Sequence, residues 1–105
     1  MPYNVYVIKL DKDVLKSKKF RERNPNLNPR RPCFYVGQTS HDPVTRFDQH
    51  KQGYKANSFV KRYGVKLVWR KFQKYNPIRT RNEAEQVEQW LAYKLRKKGH
   101  GVWSN

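Results

Sequence analysis

Positive charge is the feature that most constrains how this chain can fold. Its 105 residues include 24 Lys and Arg but only eight Asp and Glu, so the formal net charge is +16 at pH 7. Like charges repel each other and oppose a compact state, and only 36% of the residues are hydrophobic. Aromatic residues make up 14% of the chain, however, and each of them buries a large apolar area. We therefore expect one small folded domain over residues 1–105 rather than a disordered basic tail.

A net charge this far from zero favours a polyanionic partner, because solubility alone needs a net charge of only about 2–8. The basic residues are spread along the whole chain, so a folded domain presents a broad positive surface. The simpler alternative is that Lys and Arg only keep the protein soluble. Nucleic acid is the expected partner, and the charge alone does not separate DNA from RNA. A membrane is not expected, because the sequence contains no strongly amphipathic basic helix, and nothing indicates an obligate protein partner.

The expected location is the cytoplasm. The chain has no run of about 18 apolar residues that could span a membrane, and residues 1–10 lack the basic and apolar regions of a secretory signal. Cys33 is the only cysteine. No internal disulfide can therefore form, and nothing points to an oxidising compartment.

The pattern of residue types predicts both strands and helices. β-branched and aromatic residues dominate three predicted strands, at residues 3–10, 33–37 and 65–72. Asp42 followed by Pro43 is typical of a helix start, and helices are predicted at residues 42–51, 57–63 and 82–98. A long basic insert, at about residues 11–32, joins the first two strands. We expect it to form a basic arm beside the functional face.

One carboxylate lies on the apolar side of the last predicted helix. At about 100° per residue, four side chains form a single apolar stripe: Ala84, Val87, Leu91 and Leu95. Glu88 lies inside or beside this stripe, so its side chain points toward the core. A buried carboxylate is costly unless it meets a cation or hydrogen-bond donors. Two interpretations stay open, namely a structural salt bridge to one of the many arginines or a metal ligand.

Five sequence features occur together in a fixed order. Asn4-Val5-Tyr6 on the first strand resembles a GIY motif, and Tyr35-Val36-Gly37 on the second strand resembles a YIG motif. Arg46 and His50 follow with the spacing Arg-x-x-x-His, and Glu88 lies on the last helix. Together these features resemble the GIY-YIG nuclease superfamily, over nearly the whole chain from Tyr3 to about Lys98.

The resemblance implies an α+β fold of the α/β-sandwich type, with a central three-stranded antiparallel sheet flanked by helices. It also implies hydrolysis of phosphodiester bonds in DNA with one divalent cation, Mg²⁺ or Mn²⁺. Glu88 corresponds to the metal-binding glutamate of the family, and its hard oxygen atoms suit these ions. Arg46 corresponds to the arginine that holds the scissile phosphate, and its planar fork fits two phosphate oxygens.

Three further residues complete the catalytic set that the resemblance implies. Tyr6 and Tyr35 correspond to the two active-site tyrosines, of which the first usually acts as the base. A free tyrosine has a pKa of about 10, so a nearby cation must stabilise its phenolate. His50 matches a position where the family places His or Tyr, and it could relay the proton.

The sequence departs from the family pattern at several positions. Asn4 replaces the glycine of the first motif, and Gln38 follows the second motif where Lys is often found. The late asparagine of the family has two candidate counterparts, His100 at equal spacing and Asn105 on a shifted path. Seven residues are expected to contact nucleic acid: Lys18, Lys19, Arg30, Arg31, Gln38, Lys51 and Arg62.

Three functions are therefore considered. The first is a divalent-cation-dependent DNA endonuclease of the GIY-YIG type. The second is a non-catalytic basic module that binds DNA or RNA with the same fold. The third is a basic RNA-binding or ribosome-associated protein that is unrelated to nucleases.

Overall fold

A four-stranded sheet between two layers of helices organises the chain, of which the computed structural model describes residues 2–104. In chain order the elements are β1 (Asn4–Leu10), α1 (Lys18–Arg23), β2 (Cys33–Thr39), α2 (Pro43–Gln52), α3 (Ser58–Tyr63), β3 (Gly64–Leu67), α4 (Arg81–Lys97) and β4 (Gly101–Ser104). Short 3-10 helices lie at Lys12–Lys16, Trp69–Lys71 and Gln73–Tyr75. The predicted α+β class, with a central sheet flanked by helices, is confirmed. None of the helices in this described part of the chain is both long and apolar enough to cross a membrane.

The sheet is mixed rather than purely antiparallel. Its strand order is β3-β1-β2-β4. β1 is antiparallel to both of its neighbours, as expected, whereas β4 pairs with β2 in parallel. The fourth strand was not predicted, because Gly101–Ser104 is only four residues long and Val102 and Trp103 are its only apolar residues.

The third strand is shorter than predicted. β3 ends at Leu67, and the segment predicted to continue it to residue 72 turns instead into 3-10 helices. Val65 is exposed on this edge strand, while Phe72 is fully buried beneath the turn. The alternating apolar residues at 65–72 therefore belong to a strand and to the turn that follows it, and not to one continuous strand. Farther along the edge of β1, the side-chain amide of Asn76 replaces a strand. It accepts from Val5 N and donates to Val5 O, both at 2.8 Å.

The strand register separates the side chains into two faces. Tyr6 pairs with Gly37 and Ile8 pairs with Tyr35, so these four residues share one face. Helices α1, α2 and α3 pack on that face, and His50 of α2 contacts Tyr6 there. The opposite face is covered by α4 and by the 3-10 helices that follow β3.

The insert between the first two strands contributes to the core, and its expected role as a basic arm beside the functional face stays a prediction. Val14 and Phe20 are fully buried. The Phe20 ring packs against Phe59 and Trp103, with centroid distances of 5.6 and 6.4 Å. It lies so close to the backbone of Gly101 that a Cβ atom there would be 2.8 Å from Phe20 Cε1. The insert therefore closes the sheet face beside β4.

Candidate active site

The two motif tyrosines meet above a glycine. Antiparallel pairing places Tyr6 directly opposite Gly37, and the tyrosine side chain lies across the glycine backbone. A Cβ atom at Gly37 would lie 2.6 Å from Tyr6 Oη and 2.9 Å from Tyr35 Cε2. The centroids of the two tyrosine rings are 6.1 Å apart. Gly37 is therefore required because its missing side chain makes room for the first tyrosine.

The asparagine that replaces the first-motif glycine has a definite contact. Asn4 Nδ2 donates to His41 O at 3.0 Å, which ties the start of β1 to the loop before α2. Asp42 then caps α2 by accepting from Val44 N at 2.8 Å, and Pro43 occupies the first turn. The start of α2 is therefore fixed relative to the strand that carries Tyr6.

His50 lies on the buried side of α2 and contacts the first tyrosine directly. The distance between His50 Nε2 and Tyr6 Oη is 2.9 Å. Each of these side chains is only 1% exposed. The spacing of the predicted Arg-x-x-x-His pair thus places the histidine against the sheet, one helical turn after Arg46.

The hydrogen-bond partners of His50 assign its tautomer. Burial, with a smaller effect from the charge of Arg46, lowers the pKa of His50 to about 4, so the ring is neutral at pH 7. Asn57 N donates to His50 Nδ1 at 3.1 Å, so Nδ1 carries no proton. The proton is therefore on Nε2, which donates to Tyr6 Oη. In this state His50 cannot accept the tyrosine proton, contrary to the expected relay.

Tyr35 is a second hydrogen-bond partner of the Tyr6 hydroxyl, and this bond favours the protonated phenol. Burial, followed by the neighbouring Tyr35, holds the pKa of Tyr6 well above its ordinary value. Arg46 lowers that pKa and Glu88 raises it, so both charged groups lie within electrostatic range of the phenol. Tyr6 therefore remains neutral unless further positive charge approaches.

Arg46 is held in one orientation by three acceptors. Its guanidinium donates to Gln49 Oε1 at 3.2 Å, to Tyr54 O at 3.2 Å and to Lys55 O at 2.8 Å. The side chain is half-buried. It lines an open groove of about 410 Å³ together with Gln38, Thr39, His41 and Arg81, among others. Arg46 thus lies between the buried tyrosine–histidine pair and a groove that a phosphate can enter.

Glu88 is buried without an ion pair. It is 5% exposed on the side of α4 that faces the sheet, as the helical periodicity predicted. No salt bridge within residues 2–104 involves Glu88, so the structural salt bridge to an arginine is not found. Burial, followed by the charge of Glu85, raises the pKa of Glu88 to about 7. A carboxylate in this state is stabilised by any cation that reaches it.

The residues expected to contact nucleic acid do not form one surface. Lys51 donates to Lys61 O at 3.1 Å and to Gly64 O at 2.9 Å, so it stabilises the end of α3. Lys18 pairs with Glu22 at 3.7 Å, and Lys19 lies over the Trp103 ring at 5.3 Å. The remaining cations are exposed, Arg30 and Arg31 in the loop before β2 and Arg62 on α3. Gln38 alone lines the groove beside Arg46.

Of the two candidates for a late asparagine, His100 does not join this cluster. His100 Nδ1 lies 2.8 Å from Pro32 O, and the His100 ring packs against Phe34 at the other end of β2 from Gly37. Asn105 lies outside the described residues. The sequence interpretation missed Asn57, whose backbone N–H orients His50. Its only signal was its place at the start of a predicted helix, where its side chain caps α3.

Comparison with known proteins agrees with this geometry. The family model of the GIY-YIG catalytic domain matches residues 3–100, a segment that includes both tyrosines, Arg46, His50 and Glu88. No curated protein and no solved structure gives a significant match. Because the family match covers nearly the whole chain, the protein belongs to the GIY-YIG family, a superfamily of nucleases.

Proposed function

We propose that this protein is a divalent-cation-dependent endonuclease that hydrolyses phosphodiester bonds in DNA. The observation that carries the proposal is Glu88, a carboxylate that is only 5% exposed and forms no ion pair within residues 2–104. A structural glutamate would be expected to have a compensating cation. Arg46 and Tyr6, which lie in electrostatic range of each other, supply the other groups that phosphodiester cleavage requires.

The residues present are compatible with one weakly held divalent cation. Residues 2–104 contain no cluster of three or more His, Cys, Asp or Glu side chains that could hold a metal. Glu88 would therefore be the main protein ligand, with water and substrate oxygens completing the shell. Gln38 Oε1 is buried and accepts no hydrogen bond among the described residues, so it is a second oxygen donor available near Gly37. When bound, such an ion would act as a Lewis acid that stabilises the leaving oxygen.

The side chains of the site would bind the scissile phosphate and control the proton of the base. The fixed guanidinium of Arg46 would bind two oxygens of the scissile phosphate from the groove. His50 Nε2–H would stabilise the phenolate of Tyr6 as it forms, since this donor already points at Tyr6 Oη. For Tyr6 to become a phenolate, its proton would pass to the hydroxyl of Tyr35, and Tyr35 would release its own proton to water in exchange. His50 therefore serves as a donor to the base rather than as the base itself.

A cleavage assay with matched variants tests this function. Glu88→Ala and Arg46→Ala are expected to reduce cleavage of linear and branched DNA with Mn²⁺ by at least about 100-fold, a typical loss when a charge-stabilising group is removed. Binding of the same DNA without a divalent cation should change little. Glu83→Ala is the control, because Glu83 lies in the first turn of the same helix with its side chain exposed. Full activity of the Glu88 variant would refute the metal role.

A second function has an observation in its favour. Tyr6 and His50 are each only 1% exposed, and a catalytic base must reach the attacking water. The alternative is therefore a non-catalytic module that binds DNA or RNA with the same fold. It predicts salt-dependent binding but no products from the wild-type protein with either Mg²⁺ or Mn²⁺. The third possibility, a basic protein unrelated to nucleases, is wrong because the chain belongs to the GIY-YIG family.

A further inference from the structure

We propose that a basic groove on the sheet face opposite Tyr6 and His50 binds a single-stranded segment of nucleic acid. Two adjoining grooves, of about 290 and 590 Å³, share Arg70 and Lys71 in their walls. Together they form the basic groove, whose lining includes Lys66, Arg70, Lys71, Lys74, Lys94 and Lys98. The inference rests on the proposed function only in taking nucleic acid as the partner.

The charge of the basic groove is uncompensated. None of the described residues that line either part is Asp or Glu. Lys71 is half-buried, with its ammonium over the Phe34 ring at 5.2 Å. Burial, followed by the charges of Arg70, Lys98 and Lys94, lowers the pKa of Lys71. A polyanion in the groove would relieve this repulsion, and a phosphate backbone supplies regularly spaced negative charge.

Two exposed tryptophans lie beside these cations. Trp69 lines the groove, is 42% exposed and packs against Phe72 with a centroid distance of 5.0 Å. Trp90 is 47% exposed and contacts two lining residues, Tyr75 at 5.7 Å and Lys94 at 4.9 Å. Exposed aromatic faces next to cations are typical of surfaces on which unpaired bases stack. This combination favours a single strand over a duplex, whose bases are already stacked.

The basic groove shares no described lining residue with the groove beside Arg46, although it adjoins α4, the helix that carries Glu88. Lys9 and Phe34 line the basic groove, and they form a pair near the end of the β1–β2 ladder that is distant from Asn4 and Thr39. Tyr6 and Gly37 pair three residues farther along, with their side-chain positions on the opposite face. A strand bound in the groove is therefore a different part of the substrate from the phosphodiester held near Arg46.

Indole N–H resonances give a direct test. The Glu88→Ala variant is titrated with a short oligothymidylate without divalent cations, so that binding is measured independently of cleavage. The resonances of Trp69 and Trp90 should shift, whereas that of Trp103, which is buried on the other face, should not. A duplex of equal length should shift them less. Absence of a shift at both exposed tryptophans would overturn the proposal, whatever the cleavage assay shows.

Charge removal provides the second measurement. Lys94→Ala/Lys98→Ala should weaken oligothymidylate binding about 10-fold and reduce the slope of log affinity against log salt by about 1.4, for two lost phosphate contacts. The matched control, Lys16→Ala/Lys61→Ala, removes equal charge from exposed positions outside the groove and should leave the tryptophan shifts unchanged. If polyglutamate shifts the same resonances with equal affinity, the groove binds acidic protein and the proposal is wrong.

Discussion

At the scale of single residues, the candidate site contains two buried titratable groups whose pKa values are displaced in opposite directions by the same cause. Burial lowers the pKa of His50 to about 4 and raises that of Glu88 to about 7. In both cases removal from water disfavours the charged form. At neutral pH, His50 is therefore uncharged and donates a hydrogen bond to Tyr6. Glu88 is present in both its protonated and its ionised form.

Replacement of Glu88 by Gln should stabilise the folded protein at high pH. The carboxyl has a folded-state pKa of about 7, above its ordinary 4.5, so its contribution to stability is complete below pH 4.5 and is lost as the pH rises to 7. Glu88→Gln should therefore raise the free energy of unfolding at pH 8 by up to about 3 kcal/mol, with little effect at pH 4. Urea denaturation at both values measures the difference.

Glu83→Gln is the control for that measurement, because the Glu83 side chain is exposed in the first turn of the same helix. His50 contributes with the opposite sign. Its folded-state pKa lies below its ordinary value, so its contribution is complete above pH 6.5 and is lost as the pH falls toward 4. A Glu88→Gln protein that is less stable than the wild type at pH 8 would show that the carboxylate already has a compensating cation.

Local periodicity explains which parts of the site could be predicted from the sequence. The burial of Glu88 and the position of His50 one turn after Arg46 follow from 3.6 residues per turn, which is a local property. The tautomer of His50 depends on Asn57 N, which lies at the start of α3, whereas His50 is on α2. The position of His100 depends on how the last helix packs. Neither relation is encoded in short-range spacing.

At the scale of elements, the insert and β4 depend on each other. Asn24 follows α1 and is 4% exposed. Its Oδ1 accepts from Val102 N at 2.9 Å and from Arg96 Nε at 3.1 Å, while its Nδ2 donates to Phe20 O at 2.9 Å. One side chain thus connects the insert, α4 and the edge strand. The sequence showed a basic segment between the first two strands and a short stretch after the last predicted helix, and only their contact in the fold reveals a structural role for both.

Asn24→Ala tests this connection. The substitution leaves Val102 N without its acceptor in a buried position, which should lower the free energy of unfolding by about 1–3 kcal/mol. Asn26→Ala is the matched control, since Asn26 is exposed in the same loop. Chemical denaturation of both variants measures the effect. Equal stability of the two variants would mean that the insert is not required by the sheet.

At the scale of the whole molecule, the sheet separates two positively charged regions. Arg46 and Arg81 line the groove of the candidate site, and the basic groove lies on the other face, toward the opposite end of the β1–β2 ladder. With 24 basic residues against eight acidic ones, most of this positive charge has no acidic partner within the protein. Nucleic acid bound by this molecule can therefore neutralise charge on more than one side of it.

Duplex DNA binding should depend steeply on salt. Contacts to at least four phosphates would weaken binding by about 100-fold or more between 50 and 200 mM salt, because each contact releases condensed counterions. Fluorescence anisotropy with Mg²⁺ omitted measures the slope. An affinity that changes less than about threefold over this range would correspond to about one phosphate contact and would contradict a polyanion-binding role.

Because Tyr6 lies so close to Gly37, its side chain fills the space that a side chain at position 37 would need, although the two residues belong to motifs far apart in the sequence. A methyl group at position 37 has no room while a phenol remains at position 6. Any enlargement of one partner requires a reduction of the other, so tolerated changes are coupled. A larger residue at position 37, introduced without a smaller one at position 6, would thus push the two strands apart and displace the Tyr6 hydroxyl.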